Sequence, residues 1–458
     1  AQSPPALTPA VRQFVKVDAE VVALEHARVI DGTGRAPAEN QTIVISGGKI
    51  VLVSNAATAA IPAGAKVIDL TGYTVIPGLV GMHEHMYYPS GGMYPEHAVS
   101  FPRLYLAGGV TTMRTAGSVE PYADLEIKRE IDEGGIAGPK MRVTGPYLEG
   151  AGAFTPQMHQ LNDAQDAERT VDYWLDEGVT SFKAYMHITP DELATVIKAA
   201  HAGKVKVTGH LGSIGFREAA AMGIDDLEHG LVVDTEFFSG KKPGICPNSQ
   251  ASELEMAEKL DVQGAEVQDM IRDLVAHHVA ITSTLPVFET FVPNRAPVSA
   301  RVLDAMCPQS RIDYLTTRAR ISDNAAKSFW PALFKKEIQF ERDFARAGGL
   351  LLAGLDPTGY GGVIAGFGDQ REVELLVEAG FTPAGAIEVA SANGARFLGE
   401  LDSIGTVEPG KAADLVVIHG DPSTNISDIE KVDTVFKDGI GYDSGKLIES
   451  VKGLVGLR

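Results

Sequence analysis

The sequence predicts an α/β fold: a TIM-type (β/α)8 barrel that carries a small β-sandwich domain built from both ends of the chain. Three observations support this prediction. β-like runs without an intervening helix open the chain, strands alternate with helical stretches through its middle, and β-like runs return near its end. Such alternation is typical of parallel sheets, and eight strand–helix units over roughly three hundred residues are what a barrel requires.

The two ends of the chain supply the predicted β-sandwich. Short apolar, β-like runs lie at 21–24, 27–30, 41–45, 49–53 and 66–70, and again at 405–418 and 432–437. Ser46-Gly47-Gly48 predicts a hairpin turn between two of these runs. We therefore expect residues 1–76 and 404–458 to pair into one domain, and residues 1–16 to be a tether of little structure.

The middle of the chain, 77–403, supplies the predicted barrel. Its eight candidate strands lie at 74–82, 110–114, 141–144, 180–185, 205–210, 225–229, 279–284 and 350–356, with helical stretches between them, for example at 164–177, 190–202 and 217–222. The stretch around 237–344 is longer than this rhythm requires. Long connections usually act as lids or binding surfaces, so we expect two insertions there that roof the mouth of the barrel.

Two histidines follow the first predicted barrel strand. His83 and His85 come at the end of the apolar run at 74–82. Side chains two residues apart on a strand share a face, so two imidazoles placed in this way can bind one metal ion. This triplet alone is a weak signal, because two polar residues can also line a loop.

Four further candidates fall at or near the carboxyl ends of later predicted strands, where the active sites of barrels lie. They are Lys183, His210, His229 and Asp356. Taken singly, each has an ordinary explanation: a packed histidine, a lysine that reaches solvent, or an aspartate that starts a turn. Six such residues at five strand ends, all on the side where barrel chemistry occurs, indicate a metal site.

Lys183 is the unusual member of this set. Metal ions would repel an ammonium group, so the side chain must lose its charge or be modified. Carboxylation by carbon dioxide would turn it into an anionic ligand that bridges two metals. Imidazole and carboxylate ligands without a thiolate suit zinc, with manganese, cobalt or iron as alternatives. Two divalent ions about 3.5–4 Å apart lower the pKa of a shared water and polarise a scissile carbonyl.

These motifs together resemble the metal-dependent amidohydrolase superfamily over nearly the whole chain. Pro77-Gly78-Leu79 leads to the histidine pair, and Pro409-Gly410-Lys411-Ala412-Ala413-Asp414-Leu415-Val416 is similar to the family's closing segment. The resemblance implies a ligand set: His83, His85 and Asp356 on one metal, His210 and His229 on the other, and carboxylated Lys183 between them. It also implies that Asp356 acts as general base and then as general acid.

One branch of that superfamily, with imidazolonepropionase-like and prolidase-like members, is the most similar. Gly109-Val110-Thr111-Thr112-Met113-Arg114 resembles its second-strand motif. Two features differ. Thr115 stands where that motif usually continues with aspartate, and Gly145-Pro146-Tyr147-Leu148-Glu149-Gly150 stands where the branch has Gly-Gly-His after the third strand.

The resulting hypothesis is hydrolysis of an amide C–N bond of a small substrate by a metal-bridged hydroxide. An N-acyl amino acid or a dipeptide is the leading substrate class, which would make the enzyme peptidase-like. Tyr185, His159 and Arg114 are candidates for polarising the carbonyl or binding a substrate carboxylate, and each could equally be ordinary packing or an ion pair. The alternatives are a cyclic-amide hydrolase, hydantoinase-like or imidazolonepropionase-like, and a non-catalytic assembly protein.

Charge and hydropathy limit the classes of binding partner that we expect. A formal net charge of -20 argues against a nucleic-acid partner, and no apolar run reaches the roughly 18 residues of a membrane helix. We expect a small-molecule substrate, no membrane partner and a homo-oligomer. The start, Ala1-Gln2-Ser3-Pro4-Pro5, fits either a mature N-terminus or a trimmed chain, and it slightly favours a periplasmic or secreted location over a cytoplasmic one. Cys246 and Cys307 permit at most one disulfide.

Overall fold

The computed structural model describes residues 6–153 and 155–457; residues 1–5, which carry the expectation of a processed N-terminus, lie outside the described residues. In this part of the chain the strands, in order, are β1 (Val15–Val17), β2 (Val21–Val29), β3 (Ala38–Ser46), β4 (Lys49–Asn55), β5 (Lys66–Asp69), β6 (Tyr73–Pro77), β7 (Leu79–Glu84), β8 (Val110–Thr115), β9 (Lys140–Arg142), β10 (Thr144–Glu149), β11 (His159–Gln160), β12 (Ser181–Ala184), β13 (Lys206–Gly209), β14 (Asp226–Glu228), β15 (Ala280–Ser283), β16 (Leu351–Ala353), β17 (Leu415–His419), β18 (Val432–Lys437) and β19 (Ile440–Asp443).

The helices of the same described ranges are α1 (Pro9–Arg12), α2 (Ser100–Gly108), α3 (Pro121–Asp132), α4 (Ala164–Asp176), α5 (Pro190–Ala202), α6 (Phe216–Met222), α7 (Ser249–Lys259), α8 (Ala265–Ala276), α9 (Leu285–Glu289), α10 (Ala300–Ala305), α11 (Pro308–Asp323), α12 (Trp330–Arg346), α13 (Phe367–Glu378), α14 (Pro383–Glu388), α15 (Gly394–Leu398) and α16 (Ser444–Glu449). Short 3₁₀ turns occupy Gly230–Val233, Ala325–Lys327 and Ile426–Glu430, and a π-helical turn, Val389–Asn393, joins α14 to α15. Within these ranges, no helix combines the length and the apolar character that crossing a bilayer needs.

The two ends of the chain meet in one mixed sheet, where the sequence predicted a β-sandwich. Its strand order is β1-β19-β18-β17-β6-β2-β3-β4, with β5 paired to β2. The ends join where β17 runs antiparallel to β6, with Leu415 opposite Pro77. The strands form one continuous sheet rather than the two facing sheets of a sandwich. The sheet curls on itself, because Ile50 at its far edge donates to the carbonyl of Lys411 at 2.9 Å, and strand twist accumulates over so many strands.

The segment before β2 is structured, so the prediction of a tether is wrong for residues 6–16. Helix α1 and strand β1 form there, and Val15 of β1 pairs with Tyr442 of β19. Val11 and Phe14 are buried against the main core. Two apolar side chains three positions apart suffice to fix this short segment, because burying each one stabilises it by about 1.5–3 kcal/mol.

The eight predicted barrel strands are all present. They pair in parallel in two sheets, β7-β8-β9 and β11-β10-β12-β13-β14-β15-β16. The third predicted strand is split into β9 and β10, which belong to different sheets. Thr144, at the start of β10, links the two sheets by donating its backbone N–H to Oγ1 of Thr115, at the end of β8, at 2.8 Å. The first and last strands meet where Asp356 donates its backbone N–H to the carbonyl of His83 at 3.1 Å. The order is that of an eight-stranded barrel, although within the described residues its hydrogen bonds form no single closed ladder.

Glycines allow two close approaches at the first barrel strand. The predicted run at 74–82 divides at Gly78: its first half is β6 of the end sheet, and its second half opens β7. A Cβ at Gly78 would lie 2.0 Å from Thr111 Oγ1 on β8. On the opposite side, a Cβ at Gly354 would lie 2.3 Å from the Cβ of His83. Residue 354 therefore has to be glycine for the last strand to lie against His83.

The long stretch at 237–344 contains two insertions, in agreement with the prediction. Helices α7 and α8 precede β15, and α9 to α12 follow it. Side chains from both insertions line the large cavity at the carboxyl ends of the parallel strands.

We expect Gly354→Ala to lower the free energy of unfolding by about 1–3 kcal/mol, because the added methyl group must displace β16 from β7. Urea denaturation measures the loss. The control is Gly445→Ala in α16, where the nearest atom to the new Cβ is 3.4 Å away and alanine favours a helix. Equal stability of the two variants would contradict the close packing of β16 on β7.

Candidate metal centre

The six predicted metal ligands come together at the carboxyl ends of five parallel strands. They are His83 near the end of β7, His85 directly after it, Lys183 in β12, His210 after β13, His229 after β14 and Asp356 after β16. All six line one cavity. The imidazole ring centroids of His83 and His229 lie 4.5 Å apart, and those of His210 and His229 lie 4.6 Å apart. Strand ends thus deliver these side chains to one place, as expected for a barrel.

The carboxylate of Asp356 lies among the imidazoles. Its Oδ1 is 3.6 Å from Nε2 of His85, and its Oδ2 is 3.9 Å from Nε2 of His83 and of His229. One ligand atom each from His83, His85 and Asp356 lies within 4.8 Å of the others, a spacing suited to one shared cation. Burial raises the pKa of Asp356 to about 6.

Two of the candidate ligands have an unusual backbone conformation. Asp356 has a φ of 50° and His229 a φ of 69°, both in the left-handed region. Non-glycine residues seldom adopt this region, and such strain concentrates at functional sites. Here it turns the chain sharply after β14 and β16, so that both side chains enter the cavity.

Hydrogen bonds fix the orientation of the imidazole rings. His83 donates from Nδ1 to Glu228 Oε2 at 2.6 Å, and His85 donates from Nδ1 to the carbonyl of Gly117 at 3.2 Å. Nδ1 of His229 contacts Thr284 Oγ1 at 2.7 Å. An imidazole that donates from Nδ1 keeps Nε2 free as a metal ligand.

Burial also keeps these imidazoles neutral. Loss of solvent, with Lys183 as the next cause, lowers the pKa of His85 and of His210 to about 3. Burial likewise holds the pKa of His83 and of His229 well below the usual value. Neutral imidazole is the form that binds metals.

Lys183 lacks a hydrogen bond at its amine. Its buried Nζ lies 3.5 Å from Glu228 Oε1 without hydrogen-bond geometry, and no other partner exists for it among the described residues. Burial lowers the pKa of this amine. Oδ1 of Asp356 is similarly buried without a donor. Two orphaned polar atoms beside four neutral imidazoles fit a divalent metal site, since buried polar groups are otherwise paired.

Glu228 is a functional residue that the sequence reasoning missed. Besides orienting His83, it accepts from Arg114 Nη2 at 2.8 Å and from Thr208 Oγ1 at 2.5 Å. The sequence did contain an indication of this role. Asp226 and Glu228 are two residues apart on one short strand, so their carboxylates share a face. Two carboxylates inside a barrel need a buried cation, and Arg114 supplies it.

Of the two interpretations that the sequence left open for Arg114, the structure shows the ion pair and not a position for binding a substrate carboxylate. Its buried guanidinium donates to Asp226 Oδ2 and Glu228 Oε1 at 2.8 Å each, and to the carbonyl of Met82 from Nε at 2.8 Å. It lies beneath the metal ligands and is not part of the cavity lining. Each of its three nitrogens donates to a protein acceptor, and the buried guanidinium does not reach the cavity.

His159 is also not brought to the site. It lies exposed on β11, where its Nε2 contacts Thr170 Oγ1 at 3.3 Å, and it does not line the cavity. Tyr185, in contrast, lines the cavity with its ring centroid 4.8 Å from that of His210. It remains the candidate for polarising a carbonyl.

Two further tyrosines adjoin His85. The ring of Tyr87 stacks on that of His85 at 4.4 Å, and Tyr147 Oη lies 3.3 Å from His85 Nε2 and bonds to Tyr87 Oη. Tyr147 belongs to the segment that replaces the branch's Gly-Gly-His motif. The difference from the branch motif was the indication in the sequence that a different polar group, the hydroxyl of Tyr147, follows the third strand.

The cavity above the ligands has a volume of about 1130 Å³. Its outer lining comes largely from the two insertions. Cys246 lies at its border and Cys307 is buried elsewhere; both are free thiols. The volume exceeds the upper end of the usual range for ligand pockets, about 300–1,000 Å³.

Comparison with known proteins gives matches over most of the chain. Residues 351–441 match the model of the amidohydrolase family. Imidazolonepropionase of Geobacillus kaustophilus (strain HTA426) is 24% identical over 399 residues, which cover 83% of this chain and 82% of that protein. Enamidase of Eubacterium barkeri is 35% identical over 210 residues, 44% of this chain and 52% of that protein.

Solved structures share the fold. A Xaa-Pro dipeptidase with bound methionine in the active site superposes with a TM-score of 0.69 at 21% identity, over 92% of this chain and 100% of that one. The chain is therefore similar to the amidohydrolase family at residues 351–441, and it shares its fold with the solved dipeptidase structure.

Proposed function

We propose that this protein is a metal-dependent hydrolase that cleaves an amide C–N bond of a small substrate. The observation that carries the proposal is the convergence of four neutral imidazoles, one carboxylate and an orphaned amine on the floor of a large cavity. Buried groups of this kind are costly to keep together unless a cation binds them. The match to the amidohydrolase family supports the same reaction class.

The proposed ligand set follows the predicted one. His83, His85 and Asp356 hold one ion, His210 and His229 hold the other, and carboxylated Lys183 lies between them. Two divalent ions, zinc first among the candidates, would polarise the scissile carbonyl and lower the pKa of a water molecule.

Asp356 is the residue that we expect to move the proton. Its Oδ1 is buried and without a donor, so it is free to take a proton from water and to pass it to the leaving nitrogen. Tyr185, on the same cavity wall as His210, is placed to donate its hydroxyl to the substrate carbonyl. Both roles require that the substrate amide lies between these two side chains.

An N-acyl amino acid or a dipeptide is the substrate class that we favour. The cavity volume of about 1130 Å³ suits an extended substrate better than a small ring, and a Xaa-Pro dipeptidase shares the fold. A cyclic-amide hydrolase is the second candidate, because the relative matched over most of the chain is an imidazolonepropionase. An assembly protein without activity is disfavoured, because all six ligand positions are occupied by suitable residues.

We also propose the domain limits of 1–76 with 404–458 for the β domain and 77–403 for the barrel. The pairing of β6 with β17 supports these limits, since both strands belong to the end sheet. The periplasmic or secreted location and the homo-oligomeric state stay predictions from sequence.

Chelation by a dipicolinate-type chelator should abolish amide hydrolysis, and zinc should restore it. Asp356→Asn should lower kcat by at least about a hundredfold, because the amide cannot take up the proton. Turnover of N-acetyl amino acids measures both effects. Asp172→Asn, an exposed change on α4, serves as the control. Full turnover by the Asp356 variant would remove this residue from the mechanism.

Glu228→Gln should weaken zinc binding about 10–100-fold, because the ring of His83 loses the carboxylate that orients it. Competition with a fluorescent chelator measures the affinity, and circular dichroism checks that the fold is kept. Glu20→Gln, on the surface, is the matched control. Unchanged affinity would mean that Glu228 acts only as a partner of Arg114.

Carboxylation of Lys183 should appear as a carbamate resonance when metal-depleted protein is reconstituted with zinc and carbon-13 bicarbonate. A buried amine with a lowered pKa is the neutral nucleophile that this reaction needs. Lys183→Gln should lose the resonance. Lys437→Gln should keep it, although burial lowers the pKa of that lysine to about 8, because Lys437 Nζ already donates to the carbonyl of Gly138 at 2.7 Å. A resonance in the Lys183 variant would disprove the assignment.

A further inference from the structure

The insertions place a wall of aromatic rings beside the metal ligands. The wall consists of Phe288, Phe291, Phe329 and Trp330, all of which line the cavity. It begins at the ligands themselves, because the ring of Phe288 lies edge-on to that of His229 with centroids 5.7 Å apart. An apolar, aromatic surface therefore continues directly outward from the reacting centre.

The rings of this wall are nearly parallel to one another. Trp330 stacks on Phe291 at 4.8 Å and 19°, on Phe329 at 5.6 Å and 24°, and on Phe288 at 6.0 Å and 20°. Phe291, Phe329 and Trp330 are only half-buried. Flat rings in this arrangement present faces and edges on which another planar group can stack, a contact that adds to the burial of apolar area.

Two cations lie on the same part of the lining. Arg320 near the end of α11 and Lys327 in the turn before α12 are exposed and line the cavity. In the described part of the chain, neither forms an ion pair with a carboxylate. Lys327 is only three residues before Trp330, so the positive charge and the aromatic wall belong to one segment.

The neighbouring arginines behave differently. Arg318 donates to the carbonyls of Val292 and Arg295, and Arg295 is paired with Glu289 and Glu378. These side chains hold the insertion together. Arg320 and Lys327 form no such bonds between parts of the insertion. They also stay unpaired with carboxylates within the described residues, although the chain carries a net charge of -20. Besides Asp356, one acidic side chain lines the cavity, Glu253.

We infer that the substrate is an amide that carries both a planar aromatic group and a free carboxylate, as in an N-acyl aromatic amino acid. The aromatic group stacks on the wall formed around Trp330, the carboxylate binds Arg320 and Lys327, and the scissile amide lies over the metal ligands. This inference deepens the proposed function and rests on it for the position of the amide, but the binding of an aromatic carboxylate can be tested without turnover.

The chain offers a built-in reporter for that binding. It has two tryptophans, Trp174 and Trp330. Trp174 lies on α4 and packs on Tyr122 and Tyr173, away from the cavity lining. In a Trp174→Phe background, Trp330 is the sole tryptophan, and quenching of its fluorescence reports a ligand at the wall.

The binding experiment compares three probes on the zinc-loaded Trp174→Phe protein: 3-phenylpropanoate, 3-phenylpropanamide and propanoate. We expect 3-phenylpropanoate to bind at least about tenfold more tightly than either of the others, with the weaker probes measured by competition. Equal affinity for the amide would overturn the role of the cations. Equal affinity for propanoate would overturn the role of the wall.

Removal of the two charges locates the carboxylate. In R320Q/K327Q, affinity for 3-phenylpropanoate should fall about tenfold, while affinity for 3-phenylpropanamide changes less than twofold. The matched control is K335Q/R346Q, which removes two exposed cations of α12 that do not line the cavity. A carboxylate bound by the metal ions instead would be insensitive to R320Q/K327Q, and that result would overturn the inference.

Turnover separates this inference from the proposed function. N-acetyl-phenylalanine should have a kcat/KM at least about tenfold above that of N-acetyl-alanine, and R320Q/K327Q should reduce it. Cleavage of both substrates at equal efficiency would overturn the inference and leave the amide hydrolase standing. Tight, charge-dependent binding of 3-phenylpropanoate without cleavage of either amide would overturn the proposed hydrolysis, and only the binding site for an aromatic carboxylate would stand.

Discussion

A buried charge network under the candidate metal ligands is the constraint on which the rest of the site depends. Arg114 on β8 lies between Asp226 and Glu228 on β14 and also binds the carbonyl of Met82 on β7. Burial alone would lower the pKa of Arg114, but the two carboxylates raise it, so the cation is kept. Removing one partner from such a buried network leaves an unpaired charge, which typically costs about 3–5 kcal/mol. The network therefore fixes three strands relative to one another.

The orientation of the ligands follows from that network. Glu228 is held by Arg114 and Thr208, and its second oxygen accepts from Nδ1 of His83. The position of Met82, next to His83, is fixed by the same guanidinium. A ligand ring is thus oriented by a carboxylate that is itself oriented from the adjacent strand, which is how supporting residues commonly tune a metal site. The ion pair between Arg114 and Glu228 explains both results: it holds Arg114 beneath the ligands, and it positions Glu228 to orient His83.

The features of the fold that depend on local sequence pattern were predictable from the sequence. The eight parallel strands and the six convergent side chains follow from alternation and from the position of polar residues at strand ends. Contacts that depend on three dimensions were not predictable. Arg114 ends a predicted strand, and its side chain is buried beneath the candidate ligands, whereas His159, between a predicted strand and a predicted helix, is exposed. The split of the run at 74–82 at Gly78 also depends on Thr111 of the next strand.

The metal ligands and the substrate-facing surface rest on different parts of the chain. The candidate ligands lie at the ends of strands that pair with their neighbours. The aromatic wall and the two cations lie in and just after α9, near the end of α11, and from the turn before α12 to its first residue. Arg318 of α11 donates to three backbone carbonyls of the segment that follows α9. Because the insertion has its own internal bonds, its lining can change without moving His83 or Asp356. The proposed metal centre is therefore compatible with different substrates, and under this proposal selectivity has to be sought in residues such as Trp330 and Arg320.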